Sequence, residues 1–496
     1  MFCPSFGQFE KLAKKGNLLP VYKEILADME TPVSAFTKVA RGRYAYLLES
    51  VEGGEKLGRY SFISSSPALI FESKGRKVTL SLGAPALRQV KETTDPFEEL
   101  KKIMKRYRPV RVEGLPRFYG GAVGYIGYDM VRFIEDIPSG NADDLGLPDC
   151  KFIFTDNLLI FDHVAHTIKV VSCVHLDRKG RDLRGLYDEA CSKIEGLIAK
   201  LRKEAIKRLN VTQSKTSKIV TQSNFTMREF ETIVKKAKEY IRAGDIIQTV
   251  LSQRLRMKVS AHPFDIYRAL RVINPSPYMY YLSLGGMNLV GSSPEILVRQ
   301  EGRRVEVRPI AGTRRRGKDE FEDKKLEKEL LKNSKERAEH LMLVDLGRND
   351  LGRVCEYGSV EVPELMVVER YSHVMHIVSG VVGKLKRGMD SFDVLRACFP
   401  AGTVSGAPKV RAMEIIEELE NLRRGTYAGA VGYFSFQGNM DMAITIRTIL
   451  IKRKEAFLQA GAGIVADSIP KNEYYETVNK AKALCEAIEM AEKGLE

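Results

Sequence analysis

Short runs of apolar and β-branched residues recur from Thr37 to about Leu176, and Gly, Pro or Ser bounds them. Runs of this length between turn-forming residues predict strands. A hairpin is predicted where two longer apolar runs flank the stretch Asp162–His166. The predicted strands are Tyr44–Glu49, Tyr60–Ser65, Ala68–Glu72, Lys77–Leu82, Phe152–Phe161 and Thr167–Leu176.

The pattern changes after the predicted hairpin, and a domain boundary is expected there. A helical stretch, Asp182–Arg208, leads into NVTQSKTSKIVTQSN at 210–224, whose Ser, Thr and Gln content is typical of a linker. An amphipathic helix, Thr226–Ala243, follows and is expected to end at Gly244. We therefore predict an N-terminal domain at 1–209, a linker at 210–224 and a second domain at 225–496. No regular βαβ rhythm follows, so a doubly wound parallel sheet is not expected.

Length and composition indicate a globular protein of more than one domain. At 496 residues the chain is too long for one compact core. No stretch approaches the ~20 apolar residues of a membrane span, and the N-terminus lacks a signal-peptide pattern. We therefore expect a cytoplasmic protein without a membrane partner. The seven cysteines are scattered and form no CxxC pair, which argues against a disulfide framework or a zinc site.

The formal net charge of +15 raises the alternative of a nucleic-acid-binding protein. The Lys and Arg residues, however, lie within Glu-rich stretches such as Asp319–Arg337 and form no basic block. A solvated charged surface is the preferred interpretation, and no nucleic-acid partner is expected. A basic balance also favours an anionic substrate or an acidic protein partner.

Two glycine-containing strings resemble nucleotide-binding motifs but depart from them. The string GAGIVA at 461–466 fits GxGxxA, yet Asp467 and Pro470 separate it from the next helix, which a dinucleotide site does not allow. The string SGAPK at 405–409 lacks the spacing of a phosphate-binding P-loop.

Paired glutamates are the first candidates for chemistry. Glu336 and Glu339 are spaced i, i+3 on a predicted helix, and Glu473 and Glu476 repeat this spacing near the C-terminus. Lys480 lies four residues further along the second face. Two such faces are suited to Mg²⁺, which takes oxygen ligands and keeps several waters. Solvated glutamate faces would show the same pattern.

Polar residues inside apolar runs are the second group of candidates. His376 is either a core residue or a catalyst, and Arg447 needs an anionic partner if it is buried. Glycine-flanked loops at 309–313, 401–406 and 461–463 offer backbone N–H groups to a small anion, although turn geometry explains them equally well.

The motifs of the second half, in their order, resemble the chorismate-utilising enzymes, and among them the large subunits of anthranilate synthase. The first half adds Tyr46–Ser50 and Gly58–Phe62 to the resemblance. The strings that carry it are GDIIQTVLSQR (244–254), NPSPYMYYL (274–282), GSSPEILVR (291–299), RPIAGTRRRG (308–317), EHLMLVDLGRND (339–350), AGTVSGAPKVRAM (401–413), YAGAVGYF (427–434) and QAGAGIVADS (459–468).

The resemblance implies a fold and a set of site residues. The implied fold is α+β, with two stacked, largely antiparallel β-sheets wrapped by helices. Mg²⁺ would be held mainly by Glu339 and Glu476, with Glu336 and Glu473 acting directly or through water. Glu295 would protonate the departing C4 hydroxyl, and His376 would assist the loss of pyruvate, with Thr403 orienting the ring. The implied substrate contacts are Gly312, Thr313, Tyr427, Arg447, Gly461, Ala462, Gly463 and Lys480.

Two positions distinguish the reactions known in this family. Isochorismate and salicylate synthases carry a water-activating lysine where this chain has Gln248, and aminodeoxychorismate synthases often carry a lysine where it has Ala311. Direct attack by ammonia at C2, the anthranilate synthase reaction, is therefore the preferred prediction. Aminodeoxychorismate synthase is the nearest alternative.

The resemblance also implies partners. The chain contains no GxCxGxQ-type glutaminase string, so a separate glutaminase subunit is expected to supply ammonia, in a hetero-oligomer with two copies of each subunit. Glu49 and Ser50, with Pro277, Tyr278 and Met279, resemble the site at which tryptophan inhibits the pathway. Ordinary strand and turn residues would explain the same strings.

Overall fold

The computed structural model describes residues 1–40, 42–50, 58–82, 87–177, 182–203, 220–371 and 374–495. Two large β-sheets, whose described strands pair antiparallel, form the centre of the molecule, and helices lie around them. One continuous apolar cluster includes buried residues from strands of both sheets, such as Leu282 in the first and Val298 in the second. The predicted α+β class with largely antiparallel sheets is therefore confirmed.

The first sheet has 13 strands. Its order begins with strands from the N-terminal half and continues with strands from the second half. The order is β1 (Phe2–Cys3), β2 (Leu18–Leu26), β11 (Thr167–His175), β10 (Asn157–Asp162), β4 (Tyr60–Ser65), β3 (Tyr44–Glu49), β14 (Tyr278–Leu284), β15 (Met287–Ser293), β24 (Thr448–Lys452), β25 (Glu455–Ile464), β13 (Gln248–Lys258) and β12 (Gln222–Ser223), with β21 (Gly406–Ala407) also paired to β13.

The second sheet has 12 strands and also draws on both halves of the chain. Its order is β18 (Ile310–Arg315), β20 (Val374–Lys384), β17 (Arg304–Val307), β16 (Ile296–Glu301), β23 (Met440–Ile444), β22 (Ala430–Ser435), β8 (Gly121–Ile126), β9 (Cys150–Thr155), β5 (Leu69–Lys74), β6 (Lys77–Leu82) and β7 (Leu87–Glu92), with β19 (Glu361–Arg370) also paired to β20.

Each sheet crosses from the first half of the chain to the second at one pair of strands. In the first sheet β3 pairs with β14, which sets Glu49 opposite Met279. In the second sheet β8 pairs with β22. Residues that are far apart in the sequence are thereby fixed next to each other by backbone hydrogen bonds.

The helices pack on the outer faces and edges of the sheets. Among the described residues they are α1 (Phe6–Leu12), α2 (Pro32–Val39), α3 (Pro96–Met104), α4 (Leu183–Lys203), α5 (Met227–Ala243), α6 (Pro263–Ile273), α7 (Glu320–Lys332), α8 (Ser334–Val354), α9 (Ser391–Cys398), α10 (Lys409–Leu419) and α11 (Pro470–Lys493), with 3₁₀ turns at Ala13–Lys15, Tyr128–Phe133 and Gly402–Val404.

Several local predictions are confirmed. Helix α5 begins after Thr226, whose hydroxyl accepts from the Glu229 N–H while the Glu229 side chain bonds back to the Thr226 N–H. It ends at Gly244, which has a left-handed φ of 84°. The GAGIVA string lies in and just after β25, and the next helix begins only at Pro470, as expected for a string that is not a dinucleotide motif.

The prediction of one strand over Phe152–Phe161 is wrong. The chain divides at Asp156 into β9, in the second sheet, and β10, in the first. The Asp156 carboxylate accepts a hydrogen bond of 2.9 Å from His175 Nε2, and its carbonyl accepts one of 2.6 Å from the Cys173 N–H. These bonds satisfy the polar groups where the chain passes between the sheets. The predicted helix end at Arg208 and most of the predicted linker lie outside the described residues, although Gln222–Ser223 forms β12.

No helix in the described part of the chain is both long enough and apolar enough to span a membrane.

Candidate active site

Glu295 lies in the connection between β15 and β16 and is only 8% exposed. Burial raises the pKa of its carboxyl to about 8, against the opposing effects of a hydrogen bond from Thr403 and the charge of Lys480. The Thr403 hydroxyl donates this bond to Oε1 over 3.0 Å. At neutral pH the Glu295 carboxyl is therefore mostly protonated and able to act as an acid.

Thr403 is held in a tightly packed 3₁₀ turn. Its neighbour Gly402 packs against Leu346 so closely that an added Cβ would meet Leu346 Cδ2 at 1.9 Å. The turn therefore needs glycine at this position to approach α8, and that approach places the Thr403 hydroxyl beside Glu295.

His376 lies on β20 directly opposite Thr313 of β18. Its Nδ1 is 3.0 Å from the Gly312 carbonyl oxygen and 3.0 Å from the Thr313 hydroxyl. Because a carbonyl only accepts, the bond to Gly312 requires the hydrogen on Nδ1 and leaves a lone pair on Nε2. Burial lowers the pKa of His376, so the ring is neutral at pH 7 and Nε2 is available as a base.

The predicted metal ligands extend from two helices, Glu336 and Glu339 from α8, and Glu473 and Glu476 from α11. Burial raises the pKa of Glu339, the charges of Glu336 and Glu476 raise it further, and a hydrogen bond from Gln248 opposes the rise. Burial also raises the pKa of Glu473, opposed by a hydrogen bond with Ser468 and reinforced by Glu476. The carboxylates of the two helices therefore face one another as like charges, which a cation would relieve.

The chain itself supplies part of the opposing charge. Lys480 Nζ lies 2.7 Å from Glu476 Oε1, and Arg314 Nη1 lies 3.2 Å from Glu336 Oε1. Among the described residues, no three His, Cys, Asp or Glu side chains gather closely enough to hold one metal ion. The donors are nevertheless all oxygens, so the residues fit Mg²⁺ with some of its waters retained.

Two cationic side chains, Arg447 and Lys480, lie beside these glutamates and could bind an anion. Arg447 has a left-handed φ of 51° and donates to the Lys480 carbonyl over 2.5 Å. Burial lowers its pKa, and within the described chain no carboxylate forms an ion pair with it. Arg447 and Lys480 line a cavity of about 510 Å³ together with Tyr475, Glu476, Asn472 and Asn479. A desolvated arginine held in strained backbone geometry is suited to a carboxylate that enters this cavity.

The predicted glycines Gly461 and Gly463 leave room for side chains of the site. A Cβ on Gly461 would lie 2.6 Å from the Tyr427 hydroxyl, and one on Gly463 would lie 2.6 Å from Gln248 Nε2. Lys480 Nζ donates to the Gly461 carbonyl over 3.0 Å. The Ala462 side chain instead belongs to a separate apolar cluster, so this residue offers the site only its backbone.

The structure thus brings the sequence-predicted residues into one connected region. Thr403 contacts Glu295, Gln248 contacts Glu339, and the charge of Arg447 acts on His376. Sequence reasoning missed Arg314, which pairs with Glu336. The run of three arginines after Thr313 was the available signal.

A second, larger cavity of about 820 Å³ lies where the two halves of the chain meet. The predicted tryptophan-site residues all line it: Glu49, Ser50, Pro277, Tyr278 and Met279. Glu49 is buried and accepts a hydrogen bond from the Tyr267 hydroxyl. It also forms an ion pair with Arg271, whose Nε lies 3.3 Å from Glu49 Oε2. Burial raises the pKa of Glu49, and Arg271 opposes the rise.

The base of this cavity is a buried polar network that sequence reasoning missed. Asp441 accepts hydrogen bonds from Tyr278 over 2.9 Å, from Arg117 over 2.9 Å and from Arg299 over 3.0 Å. An aspartate between apolar residues in strand β23 was the signal in the sequence. The network fixes Tyr278 at the cavity wall.

Comparison with known proteins shows the class to which this fold and site belong. A family model described as chorismate binding enzyme matches residues 85–486, which include the residues around both Glu295 and Arg447. The chain is 53% identical to anthranilate synthase component 1 of Aquifex aeolicus (strain VF5), over 99% of each chain. It is 50% identical to the component 1 of Acetivibrio thermocellus, also over 99% of each chain.

A solved structure extends the likeness to three dimensions. Anthranilate synthase component I from Streptococcus pneumoniae TIGR4 is 38% identical, with a TM-score of 0.77 over 93% of this chain and 98% of that one. The chain therefore belongs to the chorismate binding enzyme family, in the branch of anthranilate synthase component 1.

Proposed function

We propose that this protein converts chorismate and ammonia to anthranilate and pyruvate, the first committed step of tryptophan biosynthesis. The observation that carries the proposal is the buried, protonated Glu295, hydrogen-bonded to Thr403 and close to the charge of Lys480. Hydroxide is a poor leaving group, so a reaction that expels the C4 hydroxyl of chorismate needs such an acid. The names of the full-length relatives agree with this chemistry.

In the first step, ammonia attacks C2 of the ring. The two ring double bonds shift, and the C4–O bond breaks as Glu295 transfers its proton, so that water leaves and aminodeoxyisochorismate forms. In the second step, His376 Nε2 removes the proton from C2. The electron pair forms the aromatic ring, and the C3–O bond breaks to release enolpyruvate, which becomes pyruvate on protonation.

Binding would use the charges around the cavity. Arg447 and Lys480 would hold the enolpyruvyl carboxylate, together with Tyr427 and the backbone at 461–463, while Gly312 and Thr313 border the ring beside His376. A magnesium ion on Glu339 and Glu476, with Glu336 and Glu473 directly or through water, would supply positive charge to the ring carboxylate. Gln248 and Ala311 leave the site without a lysine at the positions that distinguish the relatives, which favours ammonia at C2.

Ammonia would come from a glutamine amidotransferase subunit, in a hetero-oligomer with two copies of each chain. The sequence contains no glutaminase nucleophile string, and the relatives are named as component 1, which implies another component. Free ammonium should replace this partner in the test tube.

Tryptophan would inhibit the enzyme from the 820 Å³ cavity. The buried Glu49 carboxylate can accept the amino group of an amino acid, and the apolar walls at Pro277 and Met279 suit an indole ring. The cavity lies at the β3–β14 pairing, where residues of both halves meet.

The activity is tested by mixing the purified protein with chorismate, Mg²⁺ and ammonium and identifying the product chromatographically and by fluorescence. Anthranilate that disappears with EDTA and decreases with tryptophan is expected. Aminodeoxychorismate or isochorismate would overturn the proposed reaction and show that Ala311 or Gln248 does not decide it.

Tryptophan binding is measured separately. Since the chain contains no tryptophan, indole fluorescence reports the ligand alone. Glu49→Gln should weaken binding and inhibition while ammonium-dependent activity persists. The matched control, Glu72→Gln, changes a glutamate on β5 that does not line the cavity. Equal binding by both variants would reject this site.

A further inference from the structure

A fully buried ion pair lies behind the active site, and the proposed chemistry does not use it. Arg424, just after α10, is 3% exposed and Glu420 is 5% exposed. Arg424 Nε donates to Glu420 Oε2 over 2.9 Å, and Nη2 donates to Oε1 over 2.6 Å. Glu420 Oε1 also accepts from the Ser252 N–H and hydroxyl, each over 2.8 Å.

The Arg424 guanidinium contacts the backbone of two distant segments and two aromatic rings. Nη1 donates to the Val404 carbonyl and Nη2 to the Val250 carbonyl, each over 2.7 Å. The group also lies 5.5 Å from the centre of the Tyr427 ring and 4.8 Å from that of Tyr128. A planar guanidinium with donors in a fixed fork holds these segments in one geometry.

Three of these four contacts lead to a group of the active site. Val404 follows Thr403, which donates to Glu295. Val250 lies two residues after Gln248 on the same strand. Tyr427 contacts Arg424 directly and lies over Gly461. Within the described chain, no other ion pair connects the backbone around Val404 and Val250 with Tyr427.

We propose that Arg424, held by Glu420, is a positioning residue that sets the acid at Glu295 and the substrate-binding Tyr427 relative to each other. The inference rests on the proposed anthranilate-forming activity. Burying a charge pair is costly, and apolar residues often fill such a place with equal stability. Here the Arg424 guanidinium also donates to two backbone carbonyls beside the active site. Its role is therefore to fix the positions of these backbone segments. A purely structural pair would lower stability when altered, without a specific effect on turnover.

The test compares Arg424→Lys with Arg132→Lys. Arg132 forms the matched pair with Glu417 of α10, over 2.8 Å and with side chains 16% and 8% exposed. That pair secures the loop at Gly140 and Asn141 instead of the active site. A lysine offers one compact ammonium and cannot reach Glu420, Val404 and Val250 together.

The expected result for Arg424→Lys is a fall in kcat of about 10- to 100-fold, as misplaced catalytic groups commonly cause. KM for chorismate should rise, whereas KM for ammonium should not change. Arg132→Lys should retain kcat and both KM values within about twofold at a similar loss of Tm. Equal kinetics in the two variants would overturn the positioning role.

A second variant covers the case in which Arg424→Lys does not fold. Glu420→Gln with Arg424→Gln removes both charges, so no unpaired charge remains buried. The same fall in kcat is expected, and a folded double variant with unchanged kcat would overturn the inference. A wild-type protein that forms no anthranilate would instead reject the proposed function, and the inference with it.

Discussion

The Thr403 hydroxyl donates a 3.0 Å hydrogen bond to Oε1 of Glu295, a residue 108 positions earlier in the chain. This bond favours the ionised carboxylate, whereas burial favours the protonated acid, and burial is the larger effect. The resulting pKa of about 8 keeps the acid form in the majority at neutral pH. The Thr403 hydrogen bond thus lowers the pKa of a carboxyl that burial keeps largely protonated.

Replacing Thr403 by Val should move the pH dependence of turnover upwards. The acid form of Glu295 is the active one, so kcat falls as the pH rises through its pKa. Since Thr403 lowers this pKa, its loss raises the pKa further and shifts the fall in kcat to higher pH. Thr403→Ser, which keeps the hydroxyl, is the control. A pH profile of kcat that stays in place or moves down would contradict the assignment.

Glu295→Gln should abolish turnover and stabilise the fold at alkaline pH. The folded-state pKa of about 8 lies above the ordinary glutamate value of 4.5. The native state is therefore destabilised as pH rises from 4.5 towards 8, because only the unfolded chain ionises. Removing the carboxyl should recover roughly 1–4 kcal/mol at pH 8 and almost nothing at pH 4.

Thermal unfolding at both pH values tests this expectation for Glu295. The exposed Glu320 provides the control as Glu320→Gln, which should change Tm little at either pH. A Glu295→Gln protein no more stable than the wild type at pH 8 would show that folding does not raise the pKa of Glu295.

His376→Asn should stop the reaction after its first step. An asparagine amide can still donate to the Gly312 carbonyl in place of Nδ1, but it offers no basic nitrogen in place of Nε2. Chorismate should therefore disappear while aminodeoxyisochorismate accumulates, which product analysis by chromatography would detect. Normal anthranilate formation by a folded His376→Asn protein would exclude His376 as the base.

Gly463→Ala should impair function with little loss of stability. The new Cβ would meet only the end of the Gln248 side chain, at 2.6 Å, so the amide should turn away from Glu339. We expect kcat/KM to fall by about tenfold or more, with a change in unfolding free energy below about 1 kcal/mol. Gly352→Ala, in α8 with open space around the added carbon, is the control and should keep full activity.

Mg²⁺ should bind more tightly as the pH rises through the raised pKa of Glu339. Burial and the neighbouring Glu336 and Glu476 raise the pKa of Glu339, so protons compete with the cation at lower pH. Calorimetric titration of Mg²⁺ without chorismate measures this directly. Glu339→Gln should weaken binding, whereas the control Glu414→Gln, on α10, should not. Binding that is independent of pH would argue against these carboxylates as ligands.

Much of the fold class and of the site could be predicted from the sequence, because the relevant signals are local. Gly244 ends its helix as its conformational freedom predicts, and the strings around Glu295 and Arg447 keep their order along the chain. The division of Phe152–Phe161 between two sheets could not be predicted. Three polar residues, 155–157, interrupt the apolar run only briefly, and nothing in this pattern assigns the two buried strands to different sheets.

Contacts between residues far apart in the sequence could not be predicted either. Arg424 appears in the sequence as one of two arginines after a helix, and nothing local shows that it reaches Val250 and Val404. The same holds for Asp441, whose three partners come from three other segments. Such residues are recognised only when the register of the strands is known.

The strand pairs β3–β14 and β8–β22, which join the two halves of the chain, determine how the molecule would behave if the chain were cleaved. Cleavage between Lys203 and Val220 would leave two polypeptides that share both sheets. Backbone ladders and one apolar cluster would hold the pieces together, whereas either piece alone would expose two open strand edges that invite aggregation. The halves should therefore fold as a complementing pair when produced together and fail when produced apart.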